Sequence, residues 1–277
     1  MSLTSLHDAG CEIAINNMID DAREWLAAFD RKSDTNLSPD DEGAAWITNT
    51  NVWDKWLLAE SSANRILWFQ ERTRISAGEC SKGAATISQL LAFARRTEEA
   101  KVPVVAYVRG KGVQEENKQK GHLGLYGMIP DLVSQLVYIA MEGDCERILL
   151  EVSSLDPRIQ NVLRSIWTSG RKCQHPSIAD LCASPDLAYL LGWAIGLCKA
   201  QEILLVIDKA DLAGSDGISS FCGALQSLFD GSLTGGTSLV EPCIGCNVRA
   251  LLTCLDGIGF DPKDCLLLRR TTEREGE

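Results

Sequence analysis

The sequence predicts an α/β fold: a doubly wound, mostly parallel sheet preceded by a helical lead-in. Three observations carry this expectation. Ile203 to Ile207 is an unbroken aliphatic run, the mark of a strand covered on both faces. Val102 to Val108 is a second short apolar run, rich in β-branched residues, and Ile66 to Phe69 is a third. Between these runs lie stretches with helical apolar spacing, and strands alternating with helices imply crossover connections.

The elements follow in order. Cys11 to Phe29 reads as an amphipathic helix, with Ile13, Ile15, Met18, Ile19, Ala22, Trp25 and Leu26 on one side. Asp30 to Glu42 is polar and reads as an exposed linker. An aromatic block containing Trp46, Trp53 and Trp56 follows, suited to packing the N-terminal segment on the main domain. After the strand at Ile66 to Phe69, Ala84 to Arg96 reads as a helix. Pro130 is placed at a helix start, the first-turn position where its missing N–H costs nothing. Leu132, Val133, Leu136, Val137 and Ala140 then form an apolar stripe. Ser184-Pro185-Asp186 supplies a cap, an N1 proline and an acidic first turn for a helix that is apolar nearly all round and therefore buried. Val248 to Leu252 and Cys265 to Leu268 read as the last two strands, with Gly231 to Ser238 a flexible loop. The division expected is a lead-in over 1–64 packed on the core, an α/β domain over 65–268, and a flexible polar tail over 269–277.

Composition narrows the classes. The chain has 277 residues, long enough to bury a substantial core, with the apolar fraction (45%) and charged fraction (23%) of a globular protein. A net charge of -11 and the lack of a basic stripe argue against a nucleic-acid partner. The first residues carry no basic start and no apolar core of a signal peptide. Leu187 to Cys198 is the longest apolar stretch, short of the ~20 residues that span a bilayer, so no membrane association is expected. The 11 cysteines, an odd number set among apolar neighbours, suit reduced thiols and a cytoplasmic location.

Chemistry points to one strand–turn–helix unit. Gly78 and Gly83 stand five apart after the Ile66 strand and before the Ala84 helix, the spacing of a phosphate-binding loop. In that motif the glycines let backbone N–H groups converge on phosphates, a lysine neutralises phosphate charge, and a hydroxyl holds Mg²⁺. Here Ala84 and Ala85 fill the lysine and hydroxyl positions, while Lys82 stands two residues before the one and Thr86 one residue after the other. One residue of slippage on a helix turns a side chain by about 100°. An ordinary loop before a helix fits the same two glycines. Asp208 follows the Ile203–Ile207 strand, with Asp211 three residues on. A carboxylate there is placed to hold Mg²⁺ or to cap the next turn, and the two roles are compatible. Cys243 and Cys246 form a lone pair with no second pair and no histidine at ligand spacing, so neither zinc nor a redox role is expected.

The order of segments resembles fungal NACHT-type STAND NTPases. Glu42-Gly-Ala-Ala-Trp46-Ile-Thr, Val52-Trp-Asp-Lys-Trp56-Leu and Ile66-Leu-Trp68 resemble that family's lead-in, its Gly-Thr-Gly-x-Trp-Leu and Phe-x-x-Trp-Leu segments and the Leu-Leu-Trp strand. Trp25-Leu26 falls where the family carries a short Trp-Leu segment. Val104-Val-Ala-Tyr107 is similar to its second strand, Ile207-Asp-Lys-Ala-Asp211-Leu212 to its Walker B segment, and Val248-Arg-Ala-Leu-Leu-Thr253 to its strand ending in Thr-Ser-Arg. The resemblance covers most of Trp25 to Leu268 and implies a P-loop NTPase type of sheet and a role in intracellular signalling or defence. It also implies which positions have lost chemistry: the lysine is Ala84, the Mg²⁺ hydroxyl Ala85, the water-polarising glutamate Leu212, and the strand-ending arginine Leu255.

Three readings follow. The first is a catalytically inactive relative of the NACHT core that works through an unidentified protein partner and needs no cofactor. The second is a switch that binds ATP or GTP weakly with Mg²⁺, through Gly78, Lys82, Gly83, Thr86, Asp208 and Asp211. The third is an enzyme of another class on an α/β sheet. The reach of Lys82 separates the first two.

Overall fold

The computed structural model describes residues 12–23, 50–58, 65–71, 102–107, 124–141, 148, 150–152, 155, 157–167, 185–200, 202–207, 222–223, 225, 247–255 and 266–270. Five strands lie in one sheet: β1 (Ile66–Glu71), β2 (Val104–Tyr107), β3 (Glu202–Ile207), β4 (Asn247–Leu255) and β5 (Leu266–Arg270). They hydrogen-bond in the order β2-β3-β4-β1-β5, and each neighbouring pair is parallel. The main described helices are α1 (12–23), α2 (Asn51–Leu57), α3 (Gly124–Met141), α4 (Pro157–Trp167) and α5 (Pro185–Leu197), with further helical residues at 148, 150–152, 222, 223 and 225.

The two faces of the sheet separate by strand alternation. On one face Ile66, Trp68, Val105, Ile203, Leu205, Ile207, Val248, Ala250 and Leu252 join a core cluster with α1, α3, α4 and α5. On the other, Leu67, Phe69, Val104, Ala106, Val206 and Leu251 cluster with Trp56 of α2. A sheet buried on both faces is why β3 is aliphatic throughout its interior rather than alternating.

The stripe predicted on α3 is buried at Leu132, Val133, Leu136, Val137 and Ala140. Its helix, however, begins at Gly124, so Pro130 lies inside it rather than at its start. A proline there lacks the N–H for one intrahelical bond, and burial of the surrounding stripe carries the helix across that gap. Helix α5 begins at Pro185, as the cap and N1 proline predict, and Leu190 to Ile195 include a continuous buried apolar series interrupted only by Gly192.

Helix α1 buries Ala14, Ile15, Met18 and Ala22, with Ile19 packed against the cluster. Ile13 departs from the predicted side and is 52% exposed; Ala14, next to it, points inward. A period of 3.6 residues allows one of two adjacent apolar positions at the stripe's edge to face solvent. The predicted span of this helix beyond Arg23, with Trp25 and Leu26, lies outside the described residues, as do Trp46, the Ala84–Arg96 helix, the Gly231–Ser238 loop and Cys243 with Cys246.

Two further differences concern elements. Helix α4 was not among the predicted elements, yet Ile159, Val162, Leu163, Ile166 and Trp167 are buried in the main cluster. Strand β5 runs on through Arg269 and Arg270, which the sequence reading places in the tail; their Cα partners are Gln70 and Glu71. In this sheet β5 has one described neighbour, and charged residues on such a strand hinder a further chain from pairing with its outer edge.

Candidate functional site

In an all-parallel sheet the carboxyl ends of the strands share one edge, and ligands of open α/β sheets sit outside that edge where the strand order reverses. Here the chain leaves β1, crosses to β2 at the far side of the sheet, steps back through β3 to β4, then passes β1 to reach β5. β1 therefore lies between β4 and β5, at the reversal. Its last residue, Glu71, is level with Leu255 of β4 and Arg270 of β5.

β1 and β3 flank β4, so their axes lie about 10 Å apart at the usual spacing of strands. Ile207, the end of β3, is level with Leu252, which is itself level with Trp68 of β1. The floor below this edge is apolar, with Trp68, Phe69, Ile207 and Leu252 all buried. Gln70, next to the end of β1, is the buried polar residue of this floor; it was not singled out from the sequence, where it reads only as the polar residue after an apolar run.

Gly78, Lys82, Gly83, Thr86, Asp208 and Asp211 all lie outside the described residues. The described strands place the chain positions that precede them: β1 ends at Glu71 ahead of the glycine pair, and β3 ends at Ile207, the residue before Asp208. These two termini are brought to the same edge, on either side of β4.

The charged pair of the described sheet stands at the other end. Arg249, near the start of β4, is 7% exposed and donates from Nε to Glu202 Oε1 at 2.5 Å, at the start of β3. Its Nη1 donates to the main-chain carbonyl of Trp56. Neither residue was singled out from the sequence, because only the register of β3 on β4 brings them together. Their place at the amino edge makes this a structural cluster, remote from the edge where ligands gather.

Among the described residues, no group of three or more His, Cys, Asp or Glu side chains is placed to hold a metal ion. Cys198 and Cys222 are not joined in a disulfide; Cys198 Sγ donates to the Leu136 carbonyl at 3.3 Å. Among the described residues, no helix is long and apolar enough to cross a membrane. No protein-family model matches the chain, and no curated protein or solved structure matches it either.

Proposed function

We propose that this chain is a catalytically inactive, NACHT/STAND-like pseudo-NTPase that acts through protein–protein contact. The observation that supports the reading is the sheet order. The strand leading to the Gly78/Gly83 pair and the strand leading to Asp208 end at one edge, separated by a single strand, at the reversal point of a parallel sheet. A phosphate loop and a Mg²⁺ carboxylate need that relation to face one nucleotide. The sequence supplies the relation without the reactive groups, since Ala84, Ala85 and Leu212 stand where lysine, hydroxyl and glutamate would act. Phosphoryl transfer depends almost wholly on positioning and charge stabilisation, so their joint loss removes several orders of magnitude in rate.

The experiment is titration of the full chain with a fluorescent ATP or GTP analogue, with and without Mg²⁺, alongside a phosphate-release assay. The expected result is no saturable binding up to about 1 mM, weaker than about 4 kcal/mol of binding free energy, and no turnover. Saturable, Mg²⁺-dependent binding that weakens on Asp208→Ala would replace this reading with a nucleotide-binding switch. Turnover near one per second would overturn it altogether.

A further inference from the structure

Helix α2 is seven residues long, too short to hold its shape in water without tertiary support. Thr50 caps its start, accepting from the Trp53 N–H at 3.1 Å, and the Trp53 and Trp56 rings meet at a centroid distance of 5.0 Å, tilted by 49°. Its link to the sheet includes Trp56, which is 1% exposed, with Val52 and Trp53 packed against the same cluster. The indole Nε1 donates to the Arg65 carbonyl at 3.0 Å, and that same carbonyl accepts from the Ala250 N–H at 2.9 Å. The Trp56 carbonyl, one of the helix's C-terminal acceptors, takes a hydrogen bond from Arg249. Trp56 is thus held at both ends by consecutive residues of β4, through one side chain and one backbone relay.

We propose that α2 is a releasable strap across this face of the sheet and that Arg249 is the catch that holds it. The guanidinium suits the task because it forks: Nε engages Glu202 while Nη1 reaches the helix. It places a cation at the carboxyl end of α2, where a helix carries unpaired carbonyls and partial negative charge. Glu202, whose side chain is 37% exposed, remains hydrated on the outer side, so the pair does not need α2 in order to persist. Opening lifts Trp56 from its cluster with Leu67, Phe69 and Leu251.

Native-state hydrogen exchange on the full chain tests this. If α2 opens on its own, the amides from Asp54 to Leu58 exchange faster than those of β1, β3 and β4, with a weaker dependence on urea. Arg249→Met removes a hydrogen bond from a charged donor and is expected to speed α2 exchange by about 10- to 100-fold. Leu163→Ala, in α4 and remote from the strap, is expected to speed exchange in the strands while leaving α2 exchange unchanged, since α4 is intact in both strap states. If Arg249→Met does not fold, Arg249→Lys keeps the charge beside Glu202 but not the fork, and is expected to speed α2 exchange about tenfold. Exchange of α2 only together with the strands, with Leu163→Ala accelerating both alike, would overturn the proposal.

Discussion

At the outer edge of β2 the side-chain amide of Gln135 accepts from the Ala106 N–H at 3.0 Å and donates to the Ala106 carbonyl at 2.9 Å. It does what a neighbouring strand would do for one residue, and α3 thereby covers the edge that would otherwise template pairing with another chain. Replacing it with leucine keeps most of the volume and leaves both Ala106 groups buried and unpaired. Gln135→Leu is expected to lower stability by about 2–4 kcal/mol, read as a shifted urea midpoint at unchanged slope. Gln135→Glu adds a pH dependence. Burial raises the carboxyl's folded pKa, so the variant is most nearly native in acid, where the protonated group still donates, and loses stability as pH rises through that pKa. A midpoint independent of pH between 4 and 8 would count against the paired geometry. Lys199 makes the opposite case. It follows α5 with φ of 48°, the left-handed region in which a helix usually ends on glycine, and Lys199→Gly is expected to stabilise by about 0.5–1 kcal/mol in the same assay. Neither residue was legible from sequence as important. A glutamine in an apolar stripe and a lysine before a strand acquire their roles only from the neighbours that folding brings.

Elements were legible where one local signal acted alone. The aliphatic run of β3 and the capped, apolar α5 stand where sequence places them, because burial on all sides leaves a pattern that needs no knowledge of the partner. The boundary of α3 was not, since proline's preference for a first turn was overridden by the buried stripe that continues through it. α4 carries Asp156-Pro157 at its start and apolar residues at positions 159, 162, 163, 166 and 167, the same kinds of signal that identify α5, yet its polar outer face makes it less conspicuous. Its contribution to the core is testable. Leu163 is fully buried and Trp167 donates to Ser134 Oγ at 3.1 Å, joining α4 to α3. Leu163→Ala is expected to cost about 2–5 kcal/mol by chemical denaturation, the range of a core truncation; a cost below about 0.5 kcal/mol would make α4 a surface attachment. Sheet order was beyond local signals altogether. The approach of β1 to β4 joins residues far apart in the chain, and with it came the relation between strand ends on which the functional reading leans. The residues named from the sequence for that site fall outside the described positions, so their strands, rather than their side chains, carry the argument.

At the scale of the whole molecule, the first 64 residues contribute to both faces of one sheet. α1 supplies Ala14, Ile15, Met18 and Ala22 to the main cluster, and Asn17 donates to the Trp167 carbonyl at 2.7 Å, tying α1 to α4. α2 supplies Trp56 to the opposite cluster. A chain beginning at Arg65 would lose part of the packing on both faces at once. The buried area of Trp56 alone is on the order of 200 Å², or about 5 kcal/mol at 25 cal/mol per Å². Ile15 and Met18 add about 1.5–3 kcal/mol each, for a gross loss near 10 kcal/mol, within the range of a domain's entire net stability. The net loss is smaller, because the unfolded chain is itself partly compact and ordering the lead-in costs conformational entropy. The shortened chain is therefore expected to be insoluble or to melt well below the full chain, measured by thermal unfolding of the two side by side. Trp56→Ala in the full chain separates the two faces, with an expected cost of about 3–5 kcal/mol while α1 stays in place. If the chain from Arg65 melts at the same temperature as the whole, the lead-in is an appendage. The strap would then hold nothing that the sheet needs, and the resemblance that places this segment directly ahead of the first strand would lose its structural meaning.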